Sequence, residues 1–162
     1  MFYTAFLVVV LTAIAGLYLG RNLKPNIVSL ELTPNVTAAL GIVEGWSRAG
    51  VLGEAIASTW LDFGFLVAYS ITLAFACLRA NRSANRVWQQ LGNGFALLAL
   101  LAGVCDVTEN LGLLHAMSRR VEQPWVLVTF VVALIKWVLI ACCLLFWLTS
   151  SLVHRYFGRL PG

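Results

Sequence analysis

Four apolar runs divide the chain, at about 2–20, 54–78, 95–117 and 125–153. Each approaches or exceeds the roughly 20 residues that a helix needs to cross the hydrocarbon core of a bilayer. The connections after the second and third runs are short, so neighbouring helices are expected to be antiparallel. The pattern predicts one all-α domain over 1–162, an integral membrane four-helix bundle running up-down-up-down. The first run has no basic stretch before its apolar core and no small-x-small cleavage site before Arg21. It therefore reads as a helix rather than a cleaved leader.

The longest connection, 21–53, has its own pattern. Thr33 suits an N-cap and Pro34 a first helical turn. Val36, Leu40, Val43 and Trp46 then fall on one apolar stripe. A short amphipathic helix over 33–46 is expected in this first outer loop, lying at the membrane surface or capping the bundle mouth. "SRAGVLG" ends it.

Composition points the same way. The chain is 60% hydrophobic and 11% charged, with mean hydropathy +0.87, whereas an average soluble domain is about a quarter charged. Cys77, Cys105, Cys142 and Cys143 all lie inside apolar runs and form no CxxC. Such cysteines pack as small hydrophobes, and a thiol oxidoreductase is not expected.

The formal charge of +4 matters through its placement. Arg79, Arg82 and Arg86 cluster in one short loop with no acid, and Arg155 and Arg159 share that side. Arg21, Lys24, Arg48, Arg119 and Arg120 fall opposite, together with the loop acids Glu31, Glu44, Glu54 and Glu122. The Lys and Arg counts tie, but the tight cluster and the one-sided acids favour both termini in the cytoplasm. The Arg clusters are short and sit at headgroup level, so no nucleic-acid partner is expected. Membrane lipids are the expected surroundings.

Inside the runs, a few residues break the apolar pattern. On a helix, Glu109 lies about 60° to one side of Asp106 and Asn110 about 40° to the other. Ala99, Ala102, Gly103 and Leu113 share that arc. Small residues let helices approach closely, and lipid cannot satisfy such a face, so it must point into the bundle. In the second run Tyr69 returns to within about 20° of Asp62. The fourth run carries Lys136, the only basic residue deep in any span. His115 lies on the opposite side from Asp106, near the outer end, and is expected at the interface. With His154 at the other end of the bundle, the two cannot share a haem.

Asp62, Asp106, Glu109 and Lys136 come from three helices and fall at similar depth in the outer half of the membrane. Left unpaired, four such groups would cost on the order of 10 kcal/mol, as much as a whole domain's stability. Three acids against one base leave a surplus of negative charge, which calls for a bound proton, cation or cationic ligand group. Asp106, nearer the bilayer centre, is expected to keep the pair with Lys136, and Glu109 to hold the extra proton. Buried ion pairs that only set helix register are the structural alternative.

"SLEL" at 29–32, Trp46, "LDFGFLVAY" at 61–69, "DVTEN" at 106–110 and Lys136 together resemble a group of uncharacterised bacterial four-span membrane proteins. These share an L-E-L segment, an L-D-F-x-F-x-x-x-Y helix, a D-x-x-E-N helix and a late Lys. The resemblance spans roughly 28–137. It implies the fold, the polar constellation and a bacterial inner membrane, and no reaction.

Three functional readings follow. In the first, Asp62, Tyr69, Asp106, Glu109, Asn110 and Lys136 line an intramembrane pocket for a small ligand, cation or proton, capped by Glu31, Trp46 and Arg48. In the second, the chain is a non-enzymatic accessory or assembly subunit, docked on a membrane protein partner or on its own copies. In the third, it is an intramembrane enzyme acting on a lipid or isoprenoid, with Asp106 and Glu109 as an acid/base pair. No nucleophile motif supports catalysis. No metal site or cofactor is expected, because Lys136 sits among the acids that would have to be ligands.

The orientation is testable. A cysteine placed at Ser118 should react with an impermeant maleimide in whole cells, and one placed at Ser83 should not. Labelling at Ser83 from outside would reverse the topology.

Overall fold

A computed structural model of the protein describes residues 2–80, 86–118 and 121–157. The Arg82 loop, Arg119, Arg120 and the tail with Arg159 lie outside the described residues, and so do the side chains of His154 and Arg155. The described residues are helical with no strand. Helix α1 spans Phe2–Leu19, continued by a 3-10 turn at Gly20–Asn22. Two helices follow in the long connection, α2 at Ile27–Glu31 and α3 at Val36–Arg48. Three long helices complete the chain: α4 at Leu52–Ala80, α5 at Arg86–Ser118 and α6 at Gln123–Phe157.

Among the described residues, three stretches are long and apolar enough to cross a membrane: Leu52–Arg79, Arg86–Ser118 and Gln123–Val153. Helix α1 is apolar and shorter, at 18 residues. Large apolar side chains stand exposed along all of them, such as Leu17 on α1, Trp60 on α4, Leu97 and Val104 on α5, and Val138 and Leu145 on α6. A water-soluble protein rarely exposes contiguous apolar surface of this kind. These are the features of a membrane protein.

Helix α5 is the centre of the assembly, packed between α4 and α6, while α1 packs on α4. The pairing order defines the directions. Along α4 and α5, Asp62 meets Asn110 and Tyr69 meets Asp106. Along α5 and α6, Glu109 and Asp106 meet Lys136, and Phe95 meets Cys143. Partners move down one helix as they move up the next, so both pairs are antiparallel.

Small residues set the spacing. A Cβ at Gly112 would run into the Thr129 side chain, and one at Gly103 would lie 3.0 Å from the Ser70 hydroxyl. The buried face of α5 contains Ala99, Ala102, Gly103, Asp106, Glu109, Asn110 and Leu113, the arc that helical geometry groups around Asp106, and is widened by Ala96, Gly112 and Ala116. Cys77 and Cys143 are buried free thiols. The Cys143 thiol donates to the Phe95 carbonyl at 3.3 Å, which ties α6 to α5.

The connection between α1 and α4 folds over one end of the bundle. Leu23, Leu30, Ala39 and Trp46 form a core there with Ala55, Leu113, Met117 and Val126. The Trp46 indole donates to the Pro25 carbonyl at 2.9 Å. Helix α3 is capped by Asn35, whose side chain accepts from the Thr37 and Ala38 amides, and not by Thr33. Its start is held from outside as well, since Gln123 accepts from the Val36 amide and donates to the Pro34 carbonyl. The buried positions are Ala39 and Trp46, while Leu40 stays exposed. Val36 and Val43 are half-buried against the same core, so the expected stripe faces the plug with Leu40 as its exception. The helix ends at Gly50, where φ is +73°, a conformation that costs glycine little.

Gly112→Val should lower stability by about 1–3 kcal/mol through overpacking, read as a drop in unfolding temperature in detergent. Adding Thr129→Gly should recover much of the loss. If Gly112→Val alone is neutral, α5 and α6 do not approach this closely.

Candidate functional site

Two apolar cores mark the ends of the bundle. One is the plug under the α2–α3 connection. The other joins Leu73, Ala74 and Cys77 of α4, Ala96 and Ala99 of α5, and Cys143 and Phe146 of α6. Between them, along each of the three long helices, lie the polar residues.

Lys136 is the hub. Its ammonium donates to Glu109 Oε1 at 2.8 Å and to Asp106 Oδ1 at 3.2 Å, and it lies 2.8 Å from Glu109 Oε2 as well. The other oxygen of Asp106 accepts from the Tyr69 hydroxyl at 2.8 Å. Asp62 Oδ2 accepts from the Asn110 amide at 2.8 Å. Asp106, Glu109, Asn110 and Lys136 are buried, with Glu109 at 0% exposure. Asp62 and Tyr69 are half-buried. The expectation that Lys136 would stay with Asp106 is only half of the geometry: it bridges both acids and sits nearer Glu109. Asp106 shares its load with Tyr69, which leaves the ammonium free to lean toward Glu109.

A fourth acid joins them. Glu31, at the end of α2, is buried at 8% exposure. It feels Lys136, Asp62 and Asp106, and its carboxyl is within hydrogen-bonding reach of Glu109. Burial pushes the Glu31 carboxyl above its ordinary range; Lys136 and the Glu109 contact pull it part of the way back, while Asp62 and Asp106 push it up. From the sequence alone Glu31 reads as a loop acid with only a capping role. The signal that could have found it is "SLEL", an acid flanked by leucines in a segment otherwise free of charge.

The other two capping candidates stand apart from the carboxyls. Trp46 is fully buried in the apolar plug and bonds backbone. Arg48 is exposed and donates to the Glu44 carbonyl of its own helix at 3.3 Å. His115 is half-buried with its ring 5.0 Å from that of Trp125. A cavity of about 470 Å³ lies between α3 and the C-terminal end of α5, lined by Leu40, Val43, Glu44, Ser47, Leu52, Ala116, Met117 and Val121. None of the clustered carboxyls lines it.

The arrangement holds four carboxyls around one ammonium in an apolar setting. Fully ionised it would carry three surplus negative charges, and no second cation among the described residues acts on it. Such a site can hold protons or a positively charged group. It offers no metal-ligating cluster among the described residues.

Comparison with known proteins adds no relative: no family model, no curated protein and no solved structure matches the chain.

Lys136→Met should be the most damaging single change at the site. It leaves Asp106 and Glu109 facing each other with no ammonium between them, at a cost of about 3–5 kcal/mol. Thermal unfolding in lipid nanodiscs checks this. An unfolding temperature equal to that of the unmodified protein would mean the carboxyls are already neutral without the lysine.

Proposed function

We propose that this chain is a four-span protein of a bacterial inner membrane, with both termini cytoplasmic. Its acidic site, in the outer half of the bundle, binds a small positively charged species: a proton, a metal-free organic cation or an alkali ion. Helix α3 and the rest of the 21–51 connection form the cover of the site. The observation that carries this reading is the pairing of Asp106 and Glu109 with the single ammonium of Lys136, with Glu31 and Asp62 near enough to feel its charge. Burying a surplus of like charge is unfavourable unless it is neutralised. Half-buried Asp62 is the member an incoming cation reaches first.

A second reading has its own support. The cluster is dense, and four of its members are almost fully buried. That suits an accessory subunit of a membrane complex, in which the polar network only fixes helix register.

Unfolding temperature in nanodiscs separates the two. It should rise with acid, or with one of sodium, potassium or methylammonium at constant pH and ionic strength. The rise should disappear in the Asp62→Asn, Glu109→Gln double variant. A temperature indifferent to both pH and every cation would sink the binding reading in favour of the subunit.

A further inference from the structure

Glu31 Oε2 is buried with no hydrogen-bond partner, and the carboxyl it meets, that of Glu109, has the Lys136 ammonium 2.8 Å away as its donor. An unsatisfied buried acceptor costs about 1–3 kcal/mol, more when charged. Two carboxylates cannot satisfy each other, since neither has a hydrogen to give. One proton on Glu31 turns it into a donor to Glu109 and removes the repulsion between the two carboxyls.

We propose that Glu31 is a carboxylic acid in the folded protein and donates its O–H to the Glu109 carboxylate, so that one bound proton latches α2 onto the bundle. This deepens the reading of the site as a sink for positive charge, and rests on it, by naming one occupant and its place. The proton resides on Glu31 rather than Glu109 because Glu109 already has the Lys136 ammonium 2.8 Å away, which stabilises its ionised form. The carboxylate of Glu109 then accepts from two donors on different elements, Lys136 of α6 and Glu31 of α2.

Every charged group that faces the pair is accounted for. Lys136 comes from α6, Asp106 from α5 and Asp62 from α4. The two aspartates have neutral donors of their own in Tyr69 and Asn110. They therefore add a negative field without competing for the proton, and that field favours the neutral form of Glu31.

The latch has a mechanical consequence. Helix α2 is only five residues long and packs on α5 and α6. Its own apolar contribution to the plug is Leu30, with Ile27 beside it. When Glu31 ionises, two carboxylates meet in an apolar setting and α2 is pushed off. The lifted segment uncovers Glu109 and Lys136. The sign is that of a group whose proton affinity is higher in the latched state. The latch is strongest at low pH and is lost as pH rises through the latched-state value of Glu31.

The test uses the full chain in lipid nanodiscs, unmodified and as Glu31→Gln. The glutamine amide imitates the neutral acid and can still donate to Glu109, so the variant should fold. Infrared difference spectra should show a protonated carboxyl band at neutral pH that disappears in Glu31→Gln. Hydrogen exchange of residues 26–33, corrected for intrinsic rates, should lose protection by up to about tenfold per pH unit through the transition. In Glu31→Gln the protection should not change with pH. A band that survives Glu31→Gln, or protection that is flat with pH in the unmodified protein, overturns the latch. If the unfolding temperature of that same protein still answers to an added cation, the latch alone has failed and the broader binding reading stands.

Discussion

The Lys136 ammonium, held between Asp106 and Glu109, is the interaction on which the rest depends. An isolated charge in an apolar bundle is too costly to keep. Lys136 is tolerated because α5 brings two carboxylates to it, and those carboxylates are tolerated because of Lys136. That mutual requirement sets the register of α6 against α5. The glycine at 112 then lies under Thr129, which lets the two helices come close enough for the ion pair to form.

From that hub the network spreads through neutral donors. Tyr69 takes the second oxygen of Asp106, and Asn110 takes Asp62. Both contacts join α4 to α5, so each polar contact in the centre is also a contact between helices. A slip of one residue in either pair would strand at least one buried carboxylate. The apolar cores above and below supply area without choosing a register. The polar layer chooses it, in the way buried polar groups fix pairing in other bundles.

The connection between α1 and α4 does two jobs with different residues. Leu23, Leu30 and Trp46 close the bundle with apolar contacts, and the Trp46–Pro25 bond fixes how the segment lies. Glu31 reaches from the same segment into the polar layer. A cover that carries one of the site's own carboxyls is sensitive to the site's charge, which is what makes proton binding and the position of α2 a single equilibrium.

The sequence by itself determined the all-helical class, the three long apolar helices and the inward face of α5. Helical periodicity is enough to place Asp106, Glu109 and Asn110 on one side with Ala99, Ala102 and Gly103, because 3.6 residues per turn leaves no freedom once the helix is granted. The antiparallel order of α4, α5 and α6 followed from short connections. What periodicity could not supply was the path of an irregular segment. Glu31 stands in a connection of ordinary polarity and reads as a loop acid; only the fold, through the apolar plug around Leu30 and Trp46, carries it down to Glu109. On α3 the apolar stripe places Val36, Val43 and Trp46 against the plug, while the fold adds Ala39 and leaves Leu40 exposed. Finer still, Lys136 leans toward Glu109 because Tyr69 shares the charge of Asp106. Pairings of this kind depend on distances of a few tenths of an ångström between separate helices, and a linear pattern holds no record of them.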